Sequence, residues 1–347
     1  LVGSYSELAR VQGNLTGANL GEAEAAQQSL GKAVALLERL QAVDPGGSQT
    51  LAVAVRLYRE ASSQAQLKGR RAEAAGFARK AVGSAERLAK SSASKEAQLT
   101  LANSYFTLAS VEESVETFRR ALQIYEQLLE KNPGNVNYTR NVALVHKNLA
   151  SLAKGKDNPL VLAEITKALE LDRRILATQP SDPRTQMDVA IDLSEVARAH
   201  YLRGERGAAI ESMGQSVAMR QKLVEGNQDD ARALDRLAWA TSRLAFYKAE
   251  VSLGAAEGDL RRAAALYKKL QAKTPLPDPS MGALAKVKLL LGRIEKQRGR
   301  TGEGCALMAE SAALAAQYKG TDNGEYTTSR ASVVAELAGV LGALGAA

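Results

Sequence analysis

Residues 99–128 read LTLANSYFTLASVEESVETFRRALQIYEQL, and they contain two helical patterns separated by an acidic turn. In the first pattern Ala102 is followed three residues later by Tyr105, and in the second Phe118 is followed three residues later by Ala121. Residues at this spacing share one face of a helix, which must be buried against a neighbour. The stretch therefore predicts two helices packed on each other.

The second helix of this pair recurs along the chain at a nearly constant interval. The successive separations of its central small residue are 48, 40, 47, 48, 48 and 48 residues. A fixed period of this size indicates stacked repeats. We expect the short interval to lack about two helical turns near LAKSSASKEAQ (88–98). The small residues are Ala33, Ala81, Ala121, Ala168, Ser216, Ala264 and Ala312.

Turn residues separate the helices of this repeat. Proline-containing segments such as KNPGN (131–135) and TQPSDP (178–183) follow several second helices, since proline cannot continue a helix. Gly21, Gly69 and Gly204 occupy equivalent places between first and second helices. In the first repeat the turn GNLTGANLG is longer than elsewhere, which predicts an inserted surface loop rather than a phosphate-binding cradle.

The helix pair resembles the tetratricopeptide repeat. The motifs that carry the resemblance are Leu101-Ala102-x-x-Tyr105 in helix A and Ser114-x-x-x-Phe118-x-x-Ala121 in helix B. The family's repeat has about 34 residues, so the longer period here implies elongated helices. The implied fold is an all-α, right-handed superhelical solenoid of about seven elongated helix pairs plus a C-terminal capping helix. We expect a single domain over 1–347, with units at approximately 1–45, 46–92, 93–133, 134–180, 181–227, 228–275 and 276–320 and a closing helix at 326–345.

A narrower resemblance concerns residues 5–45, which include SYSELARVQGN, ANLGE and AVALLERLQAVDP. This segment is similar to the tetratricopeptide region carboxy-terminal to the kinase domain in certain bacterial transmembrane serine/threonine protein kinases. The resemblance implies that the chain is a fragment of a signalling protein whose kinase domain precedes Leu1. It also implies an extracytoplasmic location of the repeats, with a cytoplasmic location as the alternative.

The residues do not form a recognisable catalytic set, so we expect a protein that is not an enzyme and uses no cofactor or metal. His146 and His200 lie in successive helix A segments, where packing explains them better than metal ligation. No kinase catalytic motif is present, and no apolar run is long enough to insert into a membrane. The formal charge of +8 favours acidic partners, but the irregular period does not suit nucleic-acid recognition.

The resemblance also implies a ligand groove on the concave face, lined by helix A. The groove positions known for the family place seven basic or polar residues in the first five repeats and three aromatic residues in the fifth and sixth, which suits an acidic, partly apolar peptide. The alternative is that longer helices rotate these positions and that Trp239 or Phe246 packs in the core. The groove set is Arg10, Arg56, Arg59, Asn103, Lys147, Ser151, Arg198, Tyr201, Trp239 and Phe246.

The sequence thus predicts a non-catalytic protein- or peptide-binding scaffold or sensor, forming the tail of a bacterial kinase. The alternative function is a structural module through which that kinase forms a homodimer. The absence of a catalytic set beside a repeat array is what favours both hypotheses over an enzyme.

Overall fold

A computed structural model describes residues 1–13, 20–153 and 159–317, and these ranges contain fourteen α-helices and no β-strand. The all-α prediction of about seven helix pairs is confirmed. The closing helix expected at 326–345 and most of the inserted loop in the first repeat lie outside the described residues. The helices are α1 (Val2–Gly13), α2 (Ala23–Val43), α3 (Ser48–Leu67), α4 (Arg71–Ser91), α5 (Lys95–Glu112), α6 (Val115–Lys131), α7 (Val136–Leu152), α8 (Pro159–Thr178), α9 (Pro183–Leu202), α10 (Arg206–Gly226), α11 (Ala231–Val251), α12 (Leu253–Gln271), α13 (Asp278–Gln297) and α14 (Thr301–Gln317).

The helices form two compact units, Leu1–Lys154 and Gly155–Ala347. Within each unit every helix packs against the next one along the chain. Helix A segments also touch one another directly, α1 with α3 and α3 with α5 in the first unit, and α11 with α13 in the second. We call the side of the first unit formed by α1, α3 and α5 its helix-A face.

Side-chain caps explain where several helix A segments begin. Asn135, Asp182 and Asp230 end the turns that precede α7, α9 and α11. Each side chain accepts a hydrogen bond from a backbone N–H of the first helical turn, at 3.2, 3.1 and 3.1 Å respectively. Such a cap satisfies donors that the helix itself leaves without an acceptor. The predicted turns therefore stop one helix and start the next.

A small, fully buried residue lies near the middle of every helix B. Its exposed fraction is 0% in all seven helices, so helix A can approach its backbone closely. The sequence assignment was wrong by one residue in α12 and α14, where Ala263 and Ser311 are buried instead of Ala264 and Ala312, which are half-buried. The seven residues are Ala33, Ala81, Ala121, Ala168, Ser216, Ala263 and Ser311.

The two serines at this position bond to helix A. Ser216 Oγ donates to the carbonyl oxygen of Ala190 at 2.7 Å, and Ser311 Oγ donates to that of Ala285 at 2.6 Å. Both partners lie 26 residues earlier in the chain. A buried hydroxyl needs such an acceptor, which explains how serine can replace alanine here.

Glycines at the helix A–B turns adopt the left-handed conformation. Gly21, Gly69 and Gly204 have φ angles of 74°, 72° and 80°, and Gly299 has a φ of 79°. Each lies twelve residues before the buried small residue of its repeat. In the last repeat the residue twelve positions after Gly299 is Ser311, which is the buried one. Glycine suits the position because a side chain strains a positive φ.

The third repeat is shortened at its helix A–B turn, and the prediction of a loss near 88–98 was wrong. The helix B–A connection at that place is ordinary, since α5 begins 14 residues after Ala81 and α3 begins 15 residues after Ala33. In contrast, α6 begins only six residues before Ala121, whereas α4 begins ten before Ala81. Glu113, with a φ of 56°, takes the place of the turn glycine.

Glycines also permit the close contact between α13 and α14. A Cβ atom at Gly292 would lie 2.8 Å from the carbonyl oxygen of Gly304 and 2.9 Å from Met308 Cγ. The first atom belongs to a helix backbone and cannot move independently. The packing of this pair therefore requires glycine at 292.

Gly292→Ala should destabilise the protein by about 1–3 kcal/mol, because the new methyl group must separate two packed helices. Urea unfolding of the full chain measures the change in the free energy of unfolding. Gly302→Ala is the matched control: it lies on α14, and an added Cβ meets nothing within 4 Å. Equal stability of the two variants would contradict this account of the helix contact.

Candidate functional site

The predicted groove residues divide between the two compact units. Arg10 lies on α1, Arg56 and Arg59 on α3, Asn103 on α5, and Lys147 and Ser151 on α7, all in the first unit. Arg198 and Tyr201 on α9, and Trp239 and Phe246 on α11, belong to the second unit.

An open groove of about 370 Å³ lies on the helix-A face of the first unit, between α3 and α5. We call it the Arg59 groove. Two of the predicted residues line it, on the same face of α3. Its lining consists of Ala52, Val55, Arg56, Arg59, Glu60 and Ser63 from α3 and Thr100 from α5. The groove therefore combines two guanidinium groups with a small apolar wall.

Arg59 is half-buried and held from the opposite helix. Its Nε donates a hydrogen bond to Thr107 Oγ1 at 3.2 Å, and Thr107 Oγ1 donates to the carbonyl oxygen of Asn103 at 3.0 Å. Burial lowers the pKa of the Arg59 guanidinium, because removing the group from water disfavours its charged form. In the described part of the chain, Arg59 forms no ion pair.

Asn103 supports the groove rather than opening into it. Its Oδ1 accepts a hydrogen bond at 2.7 Å from the hydroxyl of Tyr125, a buried residue of α6. Burial raises the pKa of Tyr125, so the hydroxyl stays protonated and remains a donor. Neither Thr107 nor Tyr125 was predicted from the sequence, because their roles depend on a helix contact that no local motif records.

Arg56 is exposed, and its guanidinium lies beside α1, with Nη2 at 3.7 Å from where a Cβ of Gly3 would be. One acidic residue, Glu60, lines the same groove. Its Oε2 accepts a hydrogen bond from Ser6 Oγ at 2.7 Å. The groove thus holds two positive charges and one negative charge.

The remaining predicted residues of the first unit lie outside this groove's lining. Arg10 is exposed and forms an ion pair with Glu7 at 2.8 Å. Lys147 is half-buried and Ser151 is exposed, both on α7. The structure therefore places Arg56 and Arg59 in one groove, whereas the other predicted residues of this unit do not line it.

Trp239 and Phe246 are packed inside the second unit. Their exposed fractions are 5% and 6%, and each belongs to an apolar cluster between helices. The guanidinium of the fully buried Arg220 lies 5.8 Å from the Trp239 ring centre. This is the packing alternative that the sequence left open for these two residues, and it leaves neither ring exposed to a peptide.

Arg198 and Tyr201 engage neighbouring side chains of the second unit. Arg198 donates to Glu195 Oε2 through both Nε and Nη2, at 2.9 and 2.7 Å. The Tyr201 ring stacks on Tyr247 with ring centres 4.5 Å apart, and its hydroxyl donates to Glu250. Burial first, and the bond to Glu250 second, raise the pKa of Tyr201 to about 12.

Within residues 1–13, 20–153 and 159–317, no three or more His, Cys, Asp or Glu side chains are placed to hold a metal ion. His146 is buried, whereas His200 Nδ1 lies 2.5 Å from Glu205 Oε2. None of the described helices combines the length and apolar character that crossing a membrane requires.

Comparison with known proteins identifies the fold. No family model and no curated protein matches the sequence. A signal-transduction ATPase with numerous domains from Pyrococcus horikoshii, which carries a tetratricopeptide repeat sensor, is similar with a TM-score of 0.57 and 14% identity. The match covers 98% of this chain but only 44% of that protein.

Two further solved structures are matched over nearly their whole length. The apo form of RapI has a TM-score of 0.50 and 10% identity over 92% of this chain and 98% of its own. A tetratricopeptide repeat protein from Parabacteroides merdae has a TM-score of 0.43 and 16% identity over 97% and 96%. The chain has the fold of the tetratricopeptide-repeat proteins, and at these identities the likeness concerns the fold alone.

The raised pKa of Tyr201 predicts a loss of stability at high pH. Its ordinary pKa is 10.0, so the folded state binds the proton more tightly than the unfolded state does. The stabilisation of the folded state by the protonated Tyr201 hydroxyl is therefore complete below pH 10 and is lost as the pH rises through about 12. Tyrosinate absorbance of the wild type minus that of Tyr201→Phe should show a midpoint near 12, and Glu250→Gln should lower it. A midpoint near 10 would contradict the burial of this ring.

Proposed function

We propose that this chain is a non-catalytic protein-binding module that holds a peptide segment of its partner on helix A. The observation that carries the proposal is the Arg59 groove, where two arginines line an open depression between neighbouring helix A segments. Arginine is among the residue types that dominate protein interfaces. Extended faces of stacked helix pairs commonly serve as binding surfaces.

We further propose that the module is the sensor part of a larger bacterial signalling protein, the tail of a serine/threonine kinase. Support for this context comes from the kinase-tail resemblance of residues 5–45. It also comes from the Pyrococcus protein, in which tetratricopeptide repeats form the sensor of a longer chain. Sequencing the complete gene tests this context, and an upstream region without a kinase domain would refute it.

Panning a random-peptide display library against the immobilised chain tests peptide binding directly. We expect recurring peptides whose binding to the full chain can be measured by calorimetry. No enrichment over the bare matrix after repeated rounds would count against the proposal.

Filling the groove should abolish this binding. Ala52→Trp places a large ring in the lining without changing the charge, whereas Ala42→Trp places the same ring at an exposed position on α2. We expect the first variant to lose at least about tenfold in affinity, equivalent to about 1.4 kcal/mol, and the second to bind normally. Equal binding by the two variants would place the peptide site elsewhere.

Self-association is the second candidate function, and the outer face of α1 favours it. Leu8 and Val11 fall on one side of this helix and are 43% and 47% exposed, and Leu1, which immediately precedes the helix, is 87% exposed. An exposed apolar stripe of this kind offers a surface for a second copy. In this case the module would bring two kinase chains together.

Light scattering of the full chain over a range of concentrations should then show a dimer. The combined variant Leu8→Glu and Val11→Glu should shift it to the monomer, because burying two carboxylates in an apolar contact is costly. A double change of exposed residues on another helix, Arg39→Glu and Ala42→Glu on α2, is the control. A wild-type monomer at the highest concentration would rule out this function.

A further inference from the structure

The predicted groove arginines differ in whether a carboxylate forms an ion pair with them. Arg10 Nε donates to Glu7 at 2.8 Å, and its Nη2 lies 2.8 Å from the same carboxylate. Arg198 makes the same two contacts with Glu195. In both cases the glutamate lies three residues earlier on the same helix. These arginines are neutralised by their own helices.

Arg56 and Arg59 lack such a glutamate. The residue three positions before Arg56 is Val53, and the residue three positions before Arg59 is Arg56 itself. Within the described residues neither arginine forms an ion pair. The carboxylate that lines the same groove, Glu60, instead accepts the hydrogen bond from Ser6.

Arg59 has donors that no described residue uses. Its Nε is held by Thr107 on α5, whereas neither Nη atom hydrogen-bonds to a described residue, and Arg59 lines the groove. A planar guanidinium matches the two oxygens of a carboxylate or phosphate. Thr107, Asn103 and Tyr125 form the hydrogen-bonded support behind it.

The partial burial of Arg59 gives an anion a reason to bind here. A charged group removed from water without an opposite charge is costly, and burial accordingly lowers the pKa of this guanidinium. An anion in the groove would restore the lost interactions. An exposed arginine such as Arg39 on α2 retains its hydration and gains less.

Resting on the proposed function, we propose that the Arg59 groove binds a two-oxygen anion on the partner peptide, held by Arg59 and supplemented by Arg56. The neighbouring Glu60 disfavours a second negative charge, and Ala52 and Val55 provide an apolar wall. The groove therefore selects an isolated acidic group flanked by neutral, apolar residues, rather than a run of acids.

Arginine side-chain NMR of the full chain can test this assignment. The probes are a capped peptide with one Glu between Ala and Val residues, its Gln counterpart, and inorganic phosphate. We expect the Nε–H signals of Arg59 and Arg56, assigned with Lys variants, to shift saturably with the Glu peptide and phosphate. Arg59 shifts no larger than that of Arg39 with every anionic probe, or equal shifts with the Glu and Gln peptides, would overturn the proposal.

Further probes separate the sources of the anion. A Gln peptide with a free carboxyl end tests a chain terminus, and a phosphoserine peptide tests a phosphorylated side chain. A shift of Arg59 with the single-Glu peptide, the free-carboxyl peptide or the phosphoserine peptide supports the anion site and identifies the source of the anion. A peptide with four consecutive Glu residues should bind more weakly than the single-Glu peptide, and tighter binding would overturn the role given to Glu60.

Variants then measure the contribution of each group to peptide affinity. Arg59→Gln should weaken binding at least about tenfold, whereas Arg39→Gln, with the same charge change, should have no effect. Arg59→Lys keeps the charge but loses the planar guanidinium and its two parallel N–H donors, so it should also weaken binding. Thermal melting shows whether each variant is folded. If Arg59→Gln is unfolded, the Lys variant and the NMR titration decide the outcome.

The failure of this proposal is distinguishable from failure of the proposed function. If panned peptides bind and are blocked by Ala52→Trp, but contain no acid and tolerate Arg59→Gln, the chain is a peptide-binding module without an anion site. If no peptide binds but phosphate shifts Arg59, the anion site exists without the peptide function.

Discussion

The close contact between helix A and helix B, made possible by a fully buried Ala or Ser in each helix B, is the constraint on which the rest of this structure depends. The chain has few aromatic side chains, so its core cannot be filled by large rings alone. Small residues instead let the helices approach until backbones and short side chains touch, as at Gly292 and Gly304. The constant distance from turn glycine to buried residue follows, because the turn must deliver helix B in register with helix A. Dispersion contacts between such close helices are individually weak and collectively large.

The third repeat shows how this register survives a deletion. Its shortened A–B turn keeps Ala121 fully buried, while the residues lost are taken from the end of α5 and the start of α6. Arginines from α4 bind the altered turn: Arg71 Nε donates to the carbonyl oxygen of Val111 at 3.0 Å, and Arg79 pairs with Glu112 at 2.5 Å. A backbone carbonyl near a helix end is an acceptor that needs a partner. The neighbouring repeat therefore supplies what the shortened turn lacks.

The sequence predicted the helices and the period well, because both depend on spacing along the chain. It chose Ala264 and Ala312 instead of the buried Ala263 and Ser311, because in each helix two small residues are adjacent and residue type cannot choose between them. Only the distance to Gly299 resolves the last repeat.

The groove positions on α3 were predicted from family geometry, and the structure places Arg56 and Arg59 in one groove. Trp239 and Phe246 are buried because α11 is enclosed on most sides, which residue type does not reveal. The roles of Thr107 and Tyr125 arise from contacts between helices, and no local spacing encodes them.

The arginines on the helix-A face of the first unit all carry a positive charge, but they differ in burial. An exposed pair such as Arg10 and Glu7 contributes at most about 1 kcal/mol, so a strong ligand could displace the glutamate at little cost. A ligand gains little there either, because water already solvates the guanidinium. At Arg59 water is partly excluded and Nε is fixed by Thr107, so a bound anion replaces a poorly solvated state. The exposed basic residues would then act through long-range attraction, which is screened beyond about 10 Å at ordinary salt. Raising the salt concentration should therefore slow association more than it weakens the contact at Arg59.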